Sequence, residues 1–158
     1  MTKFLFHDKI PRMRVPQPFP YQGSKRGLAS LILRYFPKDT ETLWEPFAGS
    51  AAISIAAAAA RKAHHFVLND LNAPLARLWE RIINDPKGLA SDYERIWKEQ
   101  ELVGFDHFAM IRDQFNRSGE PAQFLYLLAR CVKAAVRRET QNCNRKETKG
   151  SYRSHSGP

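Results

Sequence analysis

A strand that runs into a glycine-bearing turn and then into an alanine-rich helix leaves a chain few folds to choose from. Residues 43–60 read Leu-Trp-Glu-Pro-Phe-Ala-Gly-Ser-Ala-Ala-Ile-Ser-Ile and then five alanines. The apolar opening predicts a buried strand, Pro46 and Gly49 a tight loop, and the small residues a helix able to lie close on a sheet. Gly49 suits a loop whose backbone approaches a ligand, because without a Cβ it takes positive φ at little cost. About twenty residues on, Phe66-Val67-Leu68-Asn69-Asp70 predicts a second apolar strand ending in a carboxylate. In nucleotide-binding α/β folds an acid at that place grips ribose hydroxyls. An ordinary βαβ unit with an acidic turn has the same outline, so the unit sets the class as α/β and leaves the ligand open.

The flanking segments divide the chain into an irregular lead-in over 1–19, a main body over 20–137 and a basic tail over 138–158. Pro11, Pro16, Pro18 and Pro20 exclude a regular helix from the lead-in. Tyr21-Gln22-Gly23-Ser24-Lys25-Arg26 is a polar turn, with Ser24 placed to cap an amphipathic helix over 25–35 that Pro37 stops. An aromatic, a glycine and a lysine at a helix start can serve an anionic or π-bearing ligand. On its own the segment reads as a capped helix. His64 and His65 are expected exposed at a helix C-terminus. Pro74 opens a helix with the stripe Leu75, Leu78, Trp79, Ile82 and Ile83, closing near Asn84-Asp85-Pro86. Helical segments over 88–100 and 105–116 follow, their aromatics at core spacing and not arranged as a base-stacking platform. After a turn over 116–121, Phe124, Leu125, Leu127, Leu128, Val132 and Val136 define a helix over 122–137.

At 158 residues the chain is one domain with room for a core. It has no apolar run of membrane-spanning length and no secretory stretch, so a cytoplasmic protein that does not enter membranes is the expectation. Cys131 and Cys143 lack a Cys-x-x-Cys partner, which predicts free thiols and no metal site. The net charge of +9 fits a polyanionic partner, although a solubilising surface also accounts for it. Beyond Arg137 the chain is almost without aliphatic residues and is expected to stay flexible unless a partner orders it.

Three segments in this order resemble the DNA adenine N6-methyltransferase family: Pro20-Tyr21-Gln22-Gly23-Ser24-Lys25, Glu45-Pro46-Phe47-Ala48-Gly49-Ser50, and Leu68-Asn69-Asp70-Leu71-Asn72. Phe115 to Ser118 and Phe124 to Arg130 also resemble the stretch before that family's target-recognition region, so the likeness runs from about Pro18 to Gly150. The resemblance implies S-adenosylmethionine on a Rossmann-like sheet, incomplete in this chain, with a helical segment after the second strand. Tyr21, Gln22, Gly23 and Lys25 would belong to the N-terminal cofactor motif, and Glu45, Pro46, Phe47, Gly49 and Ser50 to the loop around the methionine part. Asp70, followed by Leu71, would accept from the ribose hydroxyls. DNA phosphates would fall to Lys133, Arg137, Arg138, Arg145 and Lys146.

The sequence departs from the family pattern twice. Ala51 stands where a second glycine is usual, so its methyl is expected to narrow the pocket or shift the backbone. The catalytic Asp-Pro-Pro-Tyr does not occur; Asp85-Pro86 is followed by Lys87, and no catalytic residue is assigned to this chain. The chain is expected to be the front half of a methyltransferase. Three readings follow. The chain is the cofactor-binding part of a split enzyme, whose complement is a second polypeptide with Asp-Pro-Pro-Tyr and the recognition region, or else self-association. It is an inactive truncated relic or fragment. Or it is a non-enzymatic basic DNA-binding module.

Overall fold

Two parallel strands organise the computed structural model, which describes residues 14–131. β1 (Thr40–Glu45) and β2 (Ala63–Leu68) pair in register from Thr40 opposite Ala63 to Glu45 opposite Leu68. Between them runs α2 (Ala52–Ala59), the predicted small-residue helix. Ala56 and Ala57 are buried against Val15, Ala29 and Leu33, with Leu43, Ile53 and Phe66 packed around them. Methyl-sized side chains let α2 approach the strands this closely. Side chains alternate along a strand, so Trp44 faces away from the Leu43 side, and it is 67% exposed.

The segment before β1 is helical but broken. A 3₁₀ turn (Lys25–Leu28), a single α turn, α1 (Ala29–Ile32), and a second 3₁₀ turn (Leu33–Tyr35) replace the continuous helix expected over 25–35. The buried face is Ala29 and Leu33, while Leu28, Leu31 and Tyr35 of the expected stripe are exposed. So narrow a contact does not hold three full α turns. His64 and His65 lie in β2 rather than at a helix end, though they are exposed as expected. The reason is a Schellman closure of α2: Arg61 takes φ 51°, its N–H donates to Ala58 O, and Lys62 N–H donates to Ala57 O. The helix stops before the histidines, and His65 pairs across the strands with Glu41 at 3.3 Å.

The rest of the described chain is a helical lobe: α3 (Ala73–Asn84), α4 (Pro86–Val103), α5 (His107–Ser118) and α6 (Pro121–Arg130). Prolines in the first turns of α3, α4 and α6 lose no intrahelical bond there. Asp85 caps α4 by accepting from Gly88 N–H at 3.0 Å. α4 runs past Gln100 because nothing breaks it before Gly104, at φ 73°. α6 packs against α3, α4 and α5, and Phe115 stacks on Phe124 with centroids 5.2 Å apart. Trp97, expected in the core, is partly exposed instead; it stacks on Tyr93 and carries the Arg130 guanidinium 5.1 Å above its ring. Cys131 is disulfide-bonded rather than a free thiol, and Val132, Val136 and the basic tail lie outside the described residues. Among the described residues no helix is long and apolar enough to cross a membrane, and no cluster of three metal-ligating side chains occurs.

Candidate functional site

Gly49 is held on three sides. Its N–H donates to Asp70 Oδ2 at 2.9 Å and its carbonyl accepts from Trp79 Nε1 at 2.8 Å. On the third side a Cβ at this position would stand 3.0 Å from Tyr21 Cε1, and the backbone sits at φ 51°. Glycine is favoured here twice over, by the left-handed backbone and by the close tyrosine ring.

The strands deliver Asp70 to this point. Beyond the sheet, Asn69 N–H donates to Glu45 O at 3.0 Å and Ala48 N–H to Asn69 O at 2.9 Å. The ladder therefore continues into the loop and brings the next side chain to Gly49. Asp70 Oδ1 accepts from Asn72 N–H at 2.9 Å. These two bonds use two of roughly four acceptor positions on a carboxylate, so acceptors remain for a ligand's hydroxyls. Burial, and then the charge of Asp70, push the Tyr21 phenol up from its ordinary value. Ser50 is buried, and its hydroxyl lies 2.8 Å from Ser24 Oγ, tying the Tyr21 segment to the loop. Ser24 also accepts from Arg26 N–H, in the capping role its position predicts.

Glu45 has a second task that its place in the motif does not announce. Its Oε2 accepts from Ser54 N–H at 3.0 Å and from Ser54 Oγ at 2.5 Å. The N-cap of α2 is Ala51, which has no side-chain cap to offer. The carboxylate at the end of β1 fills that role and meets the positive end of the helix dipole. Glu45→Ala should therefore destabilise the chain by about 2–3 kcal/mol. Glu45→Gln, which keeps an acceptor oxygen, should recover at least half of that loss, as read by urea unfolding.

Ala51, the departure from the family pattern, is wholly buried in the main core at φ 47°. Its methyl is packed among core side chains, so the local cost is one of backbone conformation, roughly 1–2 kcal/mol for an L-residue in this region. Ala51→Gly relieves that cost but loses a buried methyl and frees the unfolded chain, terms of about 0.8 and 0.5–1 kcal/mol. The sum leaves Ala51→Gly within about 1 kcal/mol of the parent. Ala51→Val, with a branched Cβ at positive φ, should lose more than about 2 kcal/mol. Thermal unfolding of the pair checks both values.

Of the site residues predicted from sequence, Tyr21, Gly49, Ser50 and Asp70 are brought together, and Glu45 sits beneath them as the cap of α2. Gln22, Gly23, Lys25, Pro46, Phe47 and Leu71 are exposed. Pro46 contributes its carbonyl to Asn69 Nδ2 at 3.2 Å. Lys133, Arg137, Arg138, Arg145 and Lys146 lie outside the described residues. Sequence reasoning missed Trp79, Ser54 and Asn72. For Trp79 there was a signal: a tryptophan in a buried stripe brings an N–H that needs a partner. The assembled groups fit a ligand with hydroxyls for Asp70 and a bulky part that needs a Cβ-free loop.

A family model described as D12 class N6 adenine-specific DNA methyltransferase matches residues 21–157. The chain is also similar to a DNA adenine methylase of Haemophilus influenzae, at 28% identity over 121 residues. That alignment covers 74% of this chain and 41% of the relative, so the chain spans less than half the length of the curated protein it matches.

Proposed function

The chain belongs to the D12 class N6 adenine-specific DNA methyltransferase family, and from that premise we propose that it is the cofactor-binding half of a split enzyme acting on adenine in DNA. The convergence of Tyr21, Gly49, Ser50 and Asp70, drawn from three separate sequence segments, carries the proposal. S-adenosylmethionine, when bound on a Rossmann-like sheet, supplies the methyl group. Asp70 takes its ribose hydroxyls, the backbone from Pro46 to Ser50 lines its methionine part, and Tyr21 and Lys25 close the N-terminal side. Lys133, Arg137, Arg138, Arg145 and Lys146 contact DNA phosphates, in keeping with the charge of +9.

The groups that hold the target adenine come from a second polypeptide carrying Asp-Pro-Pro-Tyr and the recognition region. Two features support such a partner. The sequence contains no Asp-Pro-Pro-Tyr. Parallel sheets are ordinarily covered on both faces, whereas β1 presents Trp44 67% exposed on one of them. The short alignment to the methylase equally suits an inactive fragment. Calorimetric titration tests the cofactor part of the proposal, and methyl transfer by the mixture separates a split enzyme from an inactive fragment: S-adenosylmethionine should bind the chain, alone or mixed with a polypeptide carrying Asp-Pro-Pro-Tyr. Absence of heat in both mixtures refutes the proposal.

A further inference from the structure

We infer that Trp79 is a positioning residue for the cofactor loop, fixing through its indole N–H a peptide plane that Asp70 cannot reach. The inference rests on the cofactor reading of the site and assigns a role to a side chain outside the motifs. The Gly49 N–H belongs to the peptide plane shared with Ala48, and the Gly49 carbonyl to the plane shared with Ser50. Asp70 holds the first plane at 2.9 Å, and Trp79 holds the second at 2.8 Å. With one anchor, a glycine free to adopt several φ/ψ wells could turn the Gly49–Ser50 peptide over. With two, the directions of the Gly49 carbonyl and the Ser50 N–H are set before any ligand arrives.

The indole is itself held in place. Trp79 is 6% exposed, and Phe19, also buried, lies 5.4 Å away at 58°. Phe19 in turn meets Tyr21 edge-on at 6.2 Å, and Tyr21 closes over Gly49. The contacts form a ring from Gly49 through Trp79, Phe19 and Tyr21 back to Gly49. Trp79 rides on α3, which packs against α6, so this bond ties the helical lobe to the loop in addition to the packing of Ala48 and Ala51 in the shared core. An apolar hole would be filled as well by phenylalanine or leucine. A buried tryptophan is favourable only where its N–H is paired, and here the partner is thirty residues away in the loop.

The test is Trp79→Phe, which keeps an aromatic ring against Phe19 and removes the donor. Amide hydrogen exchange of the ligand-free chain is read over 46–54, with 122–130 in α6 as the internal reference. Exchange over 46–54 should rise about three- to tenfold while the reference stays unchanged. S-adenosylmethionine should then bind with an affinity lower by a similar factor. Unchanged exchange over 46–54, or an equal rise in both segments, overturns the inference and leaves packing as the whole role of the ring. If the phenylalanine variant does not fold, benzothienylalanine at position 79, equal in shape and lacking the N–H, gives the same comparison. Failure of the parent chain to bind the cofactor would count against the functional proposal, whereas the exchange comparison stands without ligand.

Discussion

Asp70→Ala should reduce S-adenosylmethionine affinity by at least a hundredfold. The carboxylate does two jobs at once. It holds Gly49 N–H at 2.9 Å and Asn72 N–H at 2.9 Å, and it keeps acceptor positions for the ligand. Two hydrogen bonds from ribose hydroxyls to a charged acceptor contribute roughly 1.5–3 kcal/mol each. Their loss corresponds to about 10²–10⁴ in Kd. Loosening of the loop adds to this, because Gly49 would keep only its carbonyl anchor. Asp70→Asn separates the two jobs. An amide presents one acceptor oxygen and one donor, so it can satisfy Gly49 N–H or Asn72 N–H but sets an NH₂ against the other. It should bind between the parent and the alanine variant. Calorimetric titration of the three proteins, with circular dichroism as the check on folding, gives the ranking. Equal affinity for parent and Asp70→Ala would remove Asp70 from the site.

Most of what positions this site was legible because it depends on residues with few alternatives. Gly49 opens a backbone conformation that other residues resist and Pro74 restricts one, and the structure uses them as a loop glycine and as a first-turn proline; Pro121, read as the end of a turn, opens α6 instead. The strand ends at Glu45 and Leu68 lie within the apolar runs that predicted them. The misreadings occurred where tertiary contacts outweighed local pattern. The end of α2 depends on Arg61 in a left-handed conformation, which a non-glycine residue does not advertise, and so His64 and His65 seemed to follow a helix. Leu28, Leu31 and Tyr35 have helical spacing, yet the buried face is Ala29 and Leu33. Trp97 has core spacing but stands at the rim with Tyr93 and Arg130. Glu45 reads as a ligand-loop residue because of its motif; its bond to Ser54 requires a turn of α2 to come back under β1, and no sequence window contains that geometry.

These 158 residues alone should transfer no methyl group to DNA, and mixing with a polypeptide that carries Asp-Pro-Pro-Tyr should restore transfer to adenine N6. An exocyclic adenine amine is a weak nucleophile, its lone pair shared with the ring. It becomes reactive when hydrogen bonds to a carboxylate or amide and a backbone carbonyl hold it in line with the methyl donor, with an aromatic ring stacked on the extruded base. Such positioning can contribute about 7–11 kcal/mol to the barrier, or roughly 10⁵–10⁸ in rate. Nothing assembled around Gly49 and Asp70 performs it, because those groups serve the donor. The one Asp-Pro in the chain is occupied elsewhere. Asp85 caps α4 through Gly88 N–H and pairs with Arg81 at 3.3 Å, while Pro86 begins the helix. Lys87 then follows where the family has a second proline. The measurement is incorporation of labelled methyl into duplex DNA by each polypeptide separately and by the mixture. Turnover by this chain alone, with no co-purifying partner, would overturn the split-enzyme proposal. Silence of the mixture despite cofactor binding would leave an inactive relic as the better account.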